Sequence, residues 1–350
     1  MRSSDAEAAA TAFLISIAVS PIVTAACKHF GLLDHPGPLK IHKHPIPRLG
    51  GVALAIAIAT GMLVAGHFEL DRSLVVAGFF LVWVTGLLDD IRPLHPVARL
   101  ISQTGAAFLL WRAGYGFSGA PSGVLSLLGA IVFVVVFSNS WNFLDGSDGL
   151  AAGIAAIVAL AFFCAASRPQ DSGTAALAAG MAAACGGFLI WNFAPAKLHM
   201  GDSGSTLLGF AIAFLTLDFY RSHPASLPVA VFPGFVTALP LLDAALAIIR
   251  RLWQARSVVR GDRCHIYDVL LARGWQARTV ALVFFVISGV LAGLGWLAVS
   301  SNRAIFLLLG AAILAAVLAA AIRLGALGRS ENAAPGELHP PQFISSRITR

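Results

Sequence analysis

Eleven apolar runs, each close to the length that crosses a bilayer as a helix, divide this chain almost from end to end. They lie near residues 8–27, 50–66, 73–88, 97–113, 122–139, 150–167, 173–193, 204–219, 227–249, 279–299 and 304–322. A crossing helix needs roughly 20 such residues, and a few less where flanking side chains snorkel. The weakest run is 97–113, which contains Arg99, Ser102 and Gln103. With 58% hydrophobic and 12% charged residues and a mean hydropathy of +0.82, the 350 residues cannot supply the polar surface of a water-soluble globule. The pattern predicts an all-α, polytopic integral membrane protein of about eleven transmembrane helices. One transmembrane domain covers 1–323, and a polar, proline-containing tail over 324–350 is expected to be flexible.

The formal charge of +7 would suggest nucleic acid in a soluble protein; in a membrane protein it reports inner loops and anionic lipid. Placement of the charges decides for the second reading, with no nucleic-acid partner. Numbering the connections alternately puts 18 of the Lys and Arg residues on one side and six on the other, so the N-terminus is read as outside and the C-terminus as cytoplasmic. The first run follows Asp5 and Glu7 and is as long as a span, which argues against a cleaved signal peptide. Cys27, Cys164, Cys185 and Cys264 form no CxxC pair and have no His cluster beside them, so neither a disulfide framework nor a zinc site is indicated.

The same partition gathers the unusual polar residues on the cytoplasmic side. A transporter would be expected to place such residues near the midplane, often in broken helices; their crowding at one face favours an enzyme supplied from the cytosol. Asp89 and Asp90 end an apolar helix, where adjacent carboxylates meet an already negative dipole. They read either as a solvated helix end softened by Arg92 or as a site for Mg²⁺ or a proton. The segment Asn139-Ser140-Trp141-Asn142-Phe143-Leu144-Asp145-Gly146-Ser147-Asp148-Gly149-Leu150 packs amides, carboxylates and two glycines at a membrane boundary. Hard oxygen donors of this kind suit Mg²⁺ and the polar edges of a nucleotide, although an ordinary polar loop is the bland alternative. A calcium loop fails on spacing, because Ser147 and Gly149 fall where ligands are needed. A CDP-alcohol phosphatidyltransferase would need an Ala-Arg continuation that is missing. Gly201-Asp202-Ser203-Gly204-Ser205 opens a helix expected to start near Ser203, with Asp202 as its N-cap and an N-terminus that attracts phosphate. Arg260-Gly261-Asp262-Arg263-Cys264-His265-Ile266-Tyr267-Asp268 fits diphosphate recognition, and positive-inside bias accounts for its arginines equally well.

In order and content these elements resemble the polyprenyl-phosphate N-acetylhexosamine-1-phosphate transferases, which start peptidoglycan, teichoic acid, O-antigen and N-glycan lipid carriers. The resemblance runs from about Gly31 to Trp275. It includes His42-Lys43-His44-Pro45-Ile46-Pro47-Arg48-Leu49-Gly50-Gly51, the Asp89-Asp90 pair with Arg99 ten positions after Asp89, and Asn-x-x-Asn-x-x-Asp-Gly-x-Asp-Gly-Leu from Asn139. It also includes Met200-Gly201-Asp202-Ser203-Gly204-Ser205, and Pro240-Leu241-Leu242-Asp243 followed by Arg250-Arg251.

The resemblance implies a lipid phosphate attacking the phosphorus that bears the sugar of a UDP-sugar, with UMP departing. By similarity, Asp202 and Asn142 hold Mg²⁺, with Mn²⁺ as a substitute, and Asp89 and Asp90 orient or deprotonate the lipid phosphate. Asp145 and Asp148 help build the nucleotide and catalytic pocket. Arg99, Asn139, Arg260, Arg263, His265 and Asp268 are the implied nucleotide-sugar and phosphate contacts, with Lys40, His42, Arg48 and Asp243 as further candidates. The implied partners are a UDP-sugar, undecaprenyl or another polyprenyl phosphate, the cytoplasmic membrane and, as an option, a second copy of the chain. One departure stands out: the family's His-Ile-His-His reads His265-Ile266-Tyr267-Asp268 here, which bears on the identity of the sugar. UDP-GlcNAc is the leading expectation, ahead of UDP-GalNAc or a deoxy-N-acetylhexosamine. A phospho-MurNAc-pentapeptide is disfavoured because the peptidoglycan branch carries a different histidine-rich sequence. A non-catalytic scaffold of the same architecture is the rival class, weakened because each acidic motif position is still a carboxylate.

Overall fold

A computed structural model describes residues 3–37, 42–66, 73–117, 123–166, 172–223, 225–258, 261–301 and 303–328. In chain order its helices are α1 (Ser3–Phe30), α2 (Gly50–Val64), α3 (Ser73–Ile91), α4 (Pro96–Arg112), α5 (Gly123–Leu144), α6 (Leu150–Ala165), α7 (Ser172–Asn192), α8 (Gly201–Ser222), α9 (Leu227–Val236), α10 (Ala238–Trp253), α11 (Ile266–Ala272), α12 (Ala277–Ser301) and α13 (Ile305–Arg323). Seven of them, α1, α3, α5, α7, α8, α12 and α13, are long and apolar enough to cross a bilayer, so the chain is a polytopic membrane protein. The other apolar runs also fall on helices, but α2 and α6 are short, at 15 and 16 residues. Helix α4, the weakest run, buries Ser102 and Gln103 on its inner face.

Three local features refine the expected plan. The run 227–249 is two helices, α9 and α10, bent by 68°. Thr237 stands at the break with its hydroxyl donating to the Pro233 carbonyl at 2.6 Å, and Pro240 sits in the first turn of α10, where its missing N–H costs nothing. The chain is not purely helical either. Leu33–Asp34 (β1) pairs antiparallel with Ile46–Pro47 (β2), in a stretch where Pro36, Pro45 and Pro47 deny a helix. Finally, the segment after α13 starts as an anchored turn: Arg250 donates to the Ala326 carbonyl at 2.6 Å and Gln254 to that of Gly328 at 3.1 Å. Residues 329–350 lie outside the described residues.

Helix α8 is the axis of the bundle. Every residue from Ser203 to Phe219 is buried, as expected of a helix apolar on all sides. Its neighbours approach through small residues. Gly51 of α2 and Gly86 of α3 both lie against the Ser203 backbone, and Gly209 of α8 lies against Phe137 and Ser138 of α5. Helix α13, by contrast, turns Ile305, Leu308 and Leu309 outward, as a bilayer-facing helix does. Packing α3, α5 and α8 side by side brings their polar ends together at one end of the bundle.

Candidate active site

Asp90, at the end of α3, caps α8 from outside. Its carboxylate accepts from the backbone N–H groups of Asp202 (2.8 Å) and Ser203 (3.0 Å) and from the Ser203 hydroxyl (2.6 Å). This corrects the expectation that Asp202 is the N-cap: α8 begins at Gly201, and the first-turn donors are satisfied by a carboxylate 112 residues earlier in the chain. The Asp202 side chain is thereby released into a cavity. There it accepts from the Asn142 amide and lies 3.5 Å from Arg99, whose same nitrogen is 3.2 Å from Asp89. Residues from α3, α4, α5 and α8 thus meet at one point.

The cavity has a volume of 290 Å³ and is walled by Asp90, Asn142, Asp145, Asp148 and Asp202, with Arg48 and His199 among its cations. Asp145 to Gly149 form the turn from α5 to α6, and Gly149 takes φ +74° there, a conformation that favours glycine. Its N–H donates to Asn192. Burial pushes the Asp145 carboxyl well above its ordinary pKa; His199 opposes this, and the carboxylates of Asp202, Asp90 and Asp148 add to it. Such a surplus of buried negative charge calls for a cation. The donors at Asn142 and Asp202 are an amide and a carboxylate, which suit a hard divalent ion such as Mg²⁺.

His199, which has no local sequence signature, and the expected His42 complete the wall. His199, in the connection from α7 to α8, faces Asp148 through Nε2 (3.5 Å) and Asp34 through Nδ1 (3.3 Å). His42 faces the same Asp34 oxygen at 3.0 Å, brought there by the β1–β2 pairing. Burial alone would lower the His199 pKa, but its hydrogen bonds to Asp148 and Asp34, with Asp145 close by, push it up to about 9. Burial would likewise raise Asp148, yet His199 and the Ala196 N–H hold it below the ordinary carboxylate value. A raised histidine pKa stabilises the fold fully below the unfolded value of 6.5 and loses that contribution as pH climbs to about 9. The gap corresponds to about 3 kcal/mol. Thermal melts of the purified protein are therefore expected to fall between pH 6.5 and 9, and His199→Gln should make that slope shallower without abolishing it, because the raised Asp145 carboxyl adds a decline of the same sign. Parallel wild-type and variant curves would show that His199 carries no such charge.

The remaining predicted residues are placed as follows. Asn139 donates to Gln103 and to the Val135 carbonyl, both at 2.8 Å, and so ties α5 to α4 behind the cavity. Arg48 lines the cavity, its Nε is buried without a hydrogen-bond partner, and it makes no ion pair among the described residues. Asp243 accepts from His265 Nδ1 at 2.6 Å and from the Ile266 N–H at 2.7 Å, while Arg263 pairs with Asp268 at 3.1 Å. His265 and Asp268 are buried and stand away from the cavity wall. Lys40 and Arg260 lie outside the described residues.

The acidic pocket thus stands at one end of a helical membrane bundle, at the N-terminus of α8. Residues 73–220 match the family described as "Glycosyl transferase family 4". The chain is 31% identical over 291 residues to the "Probable undecaprenyl-phosphate N-acetylglucosaminyl 1-phosphate transferase" of Bacillus subtilis, covering 79% of this chain and 81% of that protein. It is 32% identical over 322 residues to the "Decaprenyl-phosphate N-acetylglucosaminephosphotransferase" of Mycolicibacterium smegmatis, covering 81% and 79% respectively. Against the "Phospho-N-acetylmuramoyl-pentapeptide-transferase" of Heliobacterium modesticaldum the identity is 31% over 270 residues, covering 71% and 82%. The chain belongs to glycosyl transferase family 4.

Proposed function

We propose that this chain transfers N-acetylhexosamine 1-phosphate, with GlcNAc 1-phosphate the leading choice, from a UDP-sugar to a polyprenyl phosphate, releasing UMP. The reaction takes place at the cytoplasmic face of the inner membrane and starts a cell-envelope polysaccharide. All eleven apolar runs cross the membrane, with the N-terminus outside and the C-terminus inside, as the distribution of Lys and Arg supports. The observation that carries this reading is the meeting of Asp89, Arg99, Asn142 and Asp202, from four helices, at one charged point.

One phosphate anion must attack another, so charge neutralisation and in-line placement matter more than a strong base. Asp202 and Asn142 are placed to hold Mg²⁺, and Mn²⁺ would find the same oxygen donors. The bound ion supplies positive charge to the diphosphate of the donor. Asp89, itself fixed by Arg99, orients the incoming lipid phosphate. Arg99 and Arg48 grip phosphate oxygens; Arg48 is suited to this because it lines the cavity and its buried Nε has no hydrogen-bond partner among the described residues. Asp145, Asp148 and His199 form the nucleotide-sugar side of the cavity, and Asp90 keeps the start of α8 in place.

The test is to offer radiolabelled UDP-GlcNAc, UDP-GalNAc and a UDP-deoxy-N-acetylhexosamine one at a time to the purified protein with undecaprenyl phosphate. UDP-GlcNAc is expected to label the extracted lipid most strongly, and UMP to inhibit or reverse the labelling. Absence of labelled lipid with every donor would refute the proposal.

A further inference from the structure

The segment between α10 and α12 is docked on α10 by charge. Besides the two bonds to Asp243, Arg250 and Arg251 both fork onto Asp262, at 2.8 and 3.2 Å, and Arg250 also donates to the Cys264 carbonyl at 2.8 Å. Asp243, Arg250 and Arg251 are all buried, so removing one partner would strand a charge. The docked His265 ring lies parallel to Tyr267, with centroids 5.4 Å apart and 4° between the planes. Tyr267 is 3% exposed, and its hydroxyl donates to the Phe143 carbonyl at 3.1 Å, at the end of α5. The same hydroxyl fills the space beside Gly146. A Cβ at that position would come within 2.7 Å of Tyr267 Cζ and closer still to the hydroxyl oxygen.

We infer that Tyr267 is a positioning residue for the Asp145–Asp148 loop, which it holds from behind the cavity through Gly146 and the Phe143 carbonyl. The inference rests on the reaction proposed above. Tyr267 stands behind the cavity wall, whereas Gly146 is part of it, flanked by Asp145 and followed by Asp148. The tyrosine is held by the His265 ring and by its own hydrogen bond, so it fixes the loop from the rear. His265 is support for the tyrosine: it lies between Asp243 and Asp262, at 2.6 and 3.8 Å, and is 5% exposed.

The experiment measures kcat and KM for three UDP-sugars with the full-length wild-type chain, Tyr267→Phe, Tyr267→His, Gly146→Ala and the Gly146→Ala/Tyr267→His double variant. Tyr267→Phe loses one net hydrogen bond and should raise the KM for the UDP-sugar about fivefold with a smaller change in kcat. Tyr267→His should raise the same KM at least as far, because the shorter side chain does not reach the Phe143 carbonyl. Gly146→Ala should lower kcat/KM about tenfold through overpacking. The double variant should recover most of that loss, because imidazole lacks the atoms that the new methyl meets. The inference is overturned if both Tyr267 variants keep the wild-type KM and Gly146→Ala is equally impaired in either background. A wild-type chain that transfers no sugar phosphate would instead refute the proposed reaction. The Gly146–Tyr267 coupling then reads from melting temperatures alone, where additive effects of the two substitutions would overturn it and non-additive ones support it.

Discussion

Replacing Asp202 by Asn should lower turnover on the order of a thousandfold while leaving the protein folded. The substitution keeps the shape of the side chain and leaves untouched the backbone N–H that Asp90 caps, so α8 still starts where it does. What it removes is the negative charge facing Asn142 and Arg99. Arg99 would then pair with Asp89 alone, and a divalent ion would lose the carboxylate beside Asn142. The check is kcat across a Mg²⁺ titration together with the melting temperature. An Asn variant with normal turnover at ordinary Mg²⁺ would take Asp202 out of the metal shell. A variant that loses activity only because it melts early would move the residue from chemistry to folding.

Gly86→Ala should be nearly as damaging, although the residue touches no substrate. A Cβ at Gly86 would lie 2.6 Å from Ser203 Cα and 2.7 Å from both the Asp202 carbonyl oxygen and the Ser203 nitrogen. All three are backbone atoms, so nothing can rotate away and α3 and α8 must separate. The displaced part of α8 is the turn that carries Asp202. A shift of about 1 Å at a reacting group costs about a hundredfold in rate, and overpacking adds about 1–3 kcal/mol of instability. Gly105→Ala is the control, because a Cβ there meets only the flexible tip of Leu81, at 3.3 Å. It should retain near-normal turnover. Equal activity in the two variants would mean that the close approach of α3 to α8 does not set the site.

The helices were legible because apolar runs are a local property that hydropathy reads directly, and the gathering of Asp89, Asn142 and Asp202 at one end of the bundle followed from their order along such runs. The features that escaped depend on contacts between distant segments. Asp202 has the residue type and position of an N-cap, and only the packing of α3 on α8 reveals that Asp90 takes that role. His199 is a lone histidine with no spacing partner; its neighbours Asp34 and Asp148 come from segments 165 residues upstream and from the α5–α6 turn. Arg250 and Arg251 look like ordinary inner-side charges, yet they are buried anchors for Asp262. The hinge in 227–249 was hidden because its residues are as apolar as those of a straight span, and prolines fix its location without revealing its angle.

In the proposed reaction the bond broken in the donor lies between the sugar-bearing phosphorus and the oxygen that bridges it to the uridine-bearing one, so that the phosphate next to the sugar travels with it. The most direct measurement offers undecaprenyl phosphate and UDP-GlcNAc carrying ³²P either at the sugar-bearing phosphorus or at the uridine-bearing one. Label at the sugar-bearing phosphorus should enter the lipid extract, and label at the uridine-bearing phosphorus should stay in the water phase as UMP. Recovery of the sugar-bearing label as UDP, with GlcNAc alone on the lipid, would contradict the account.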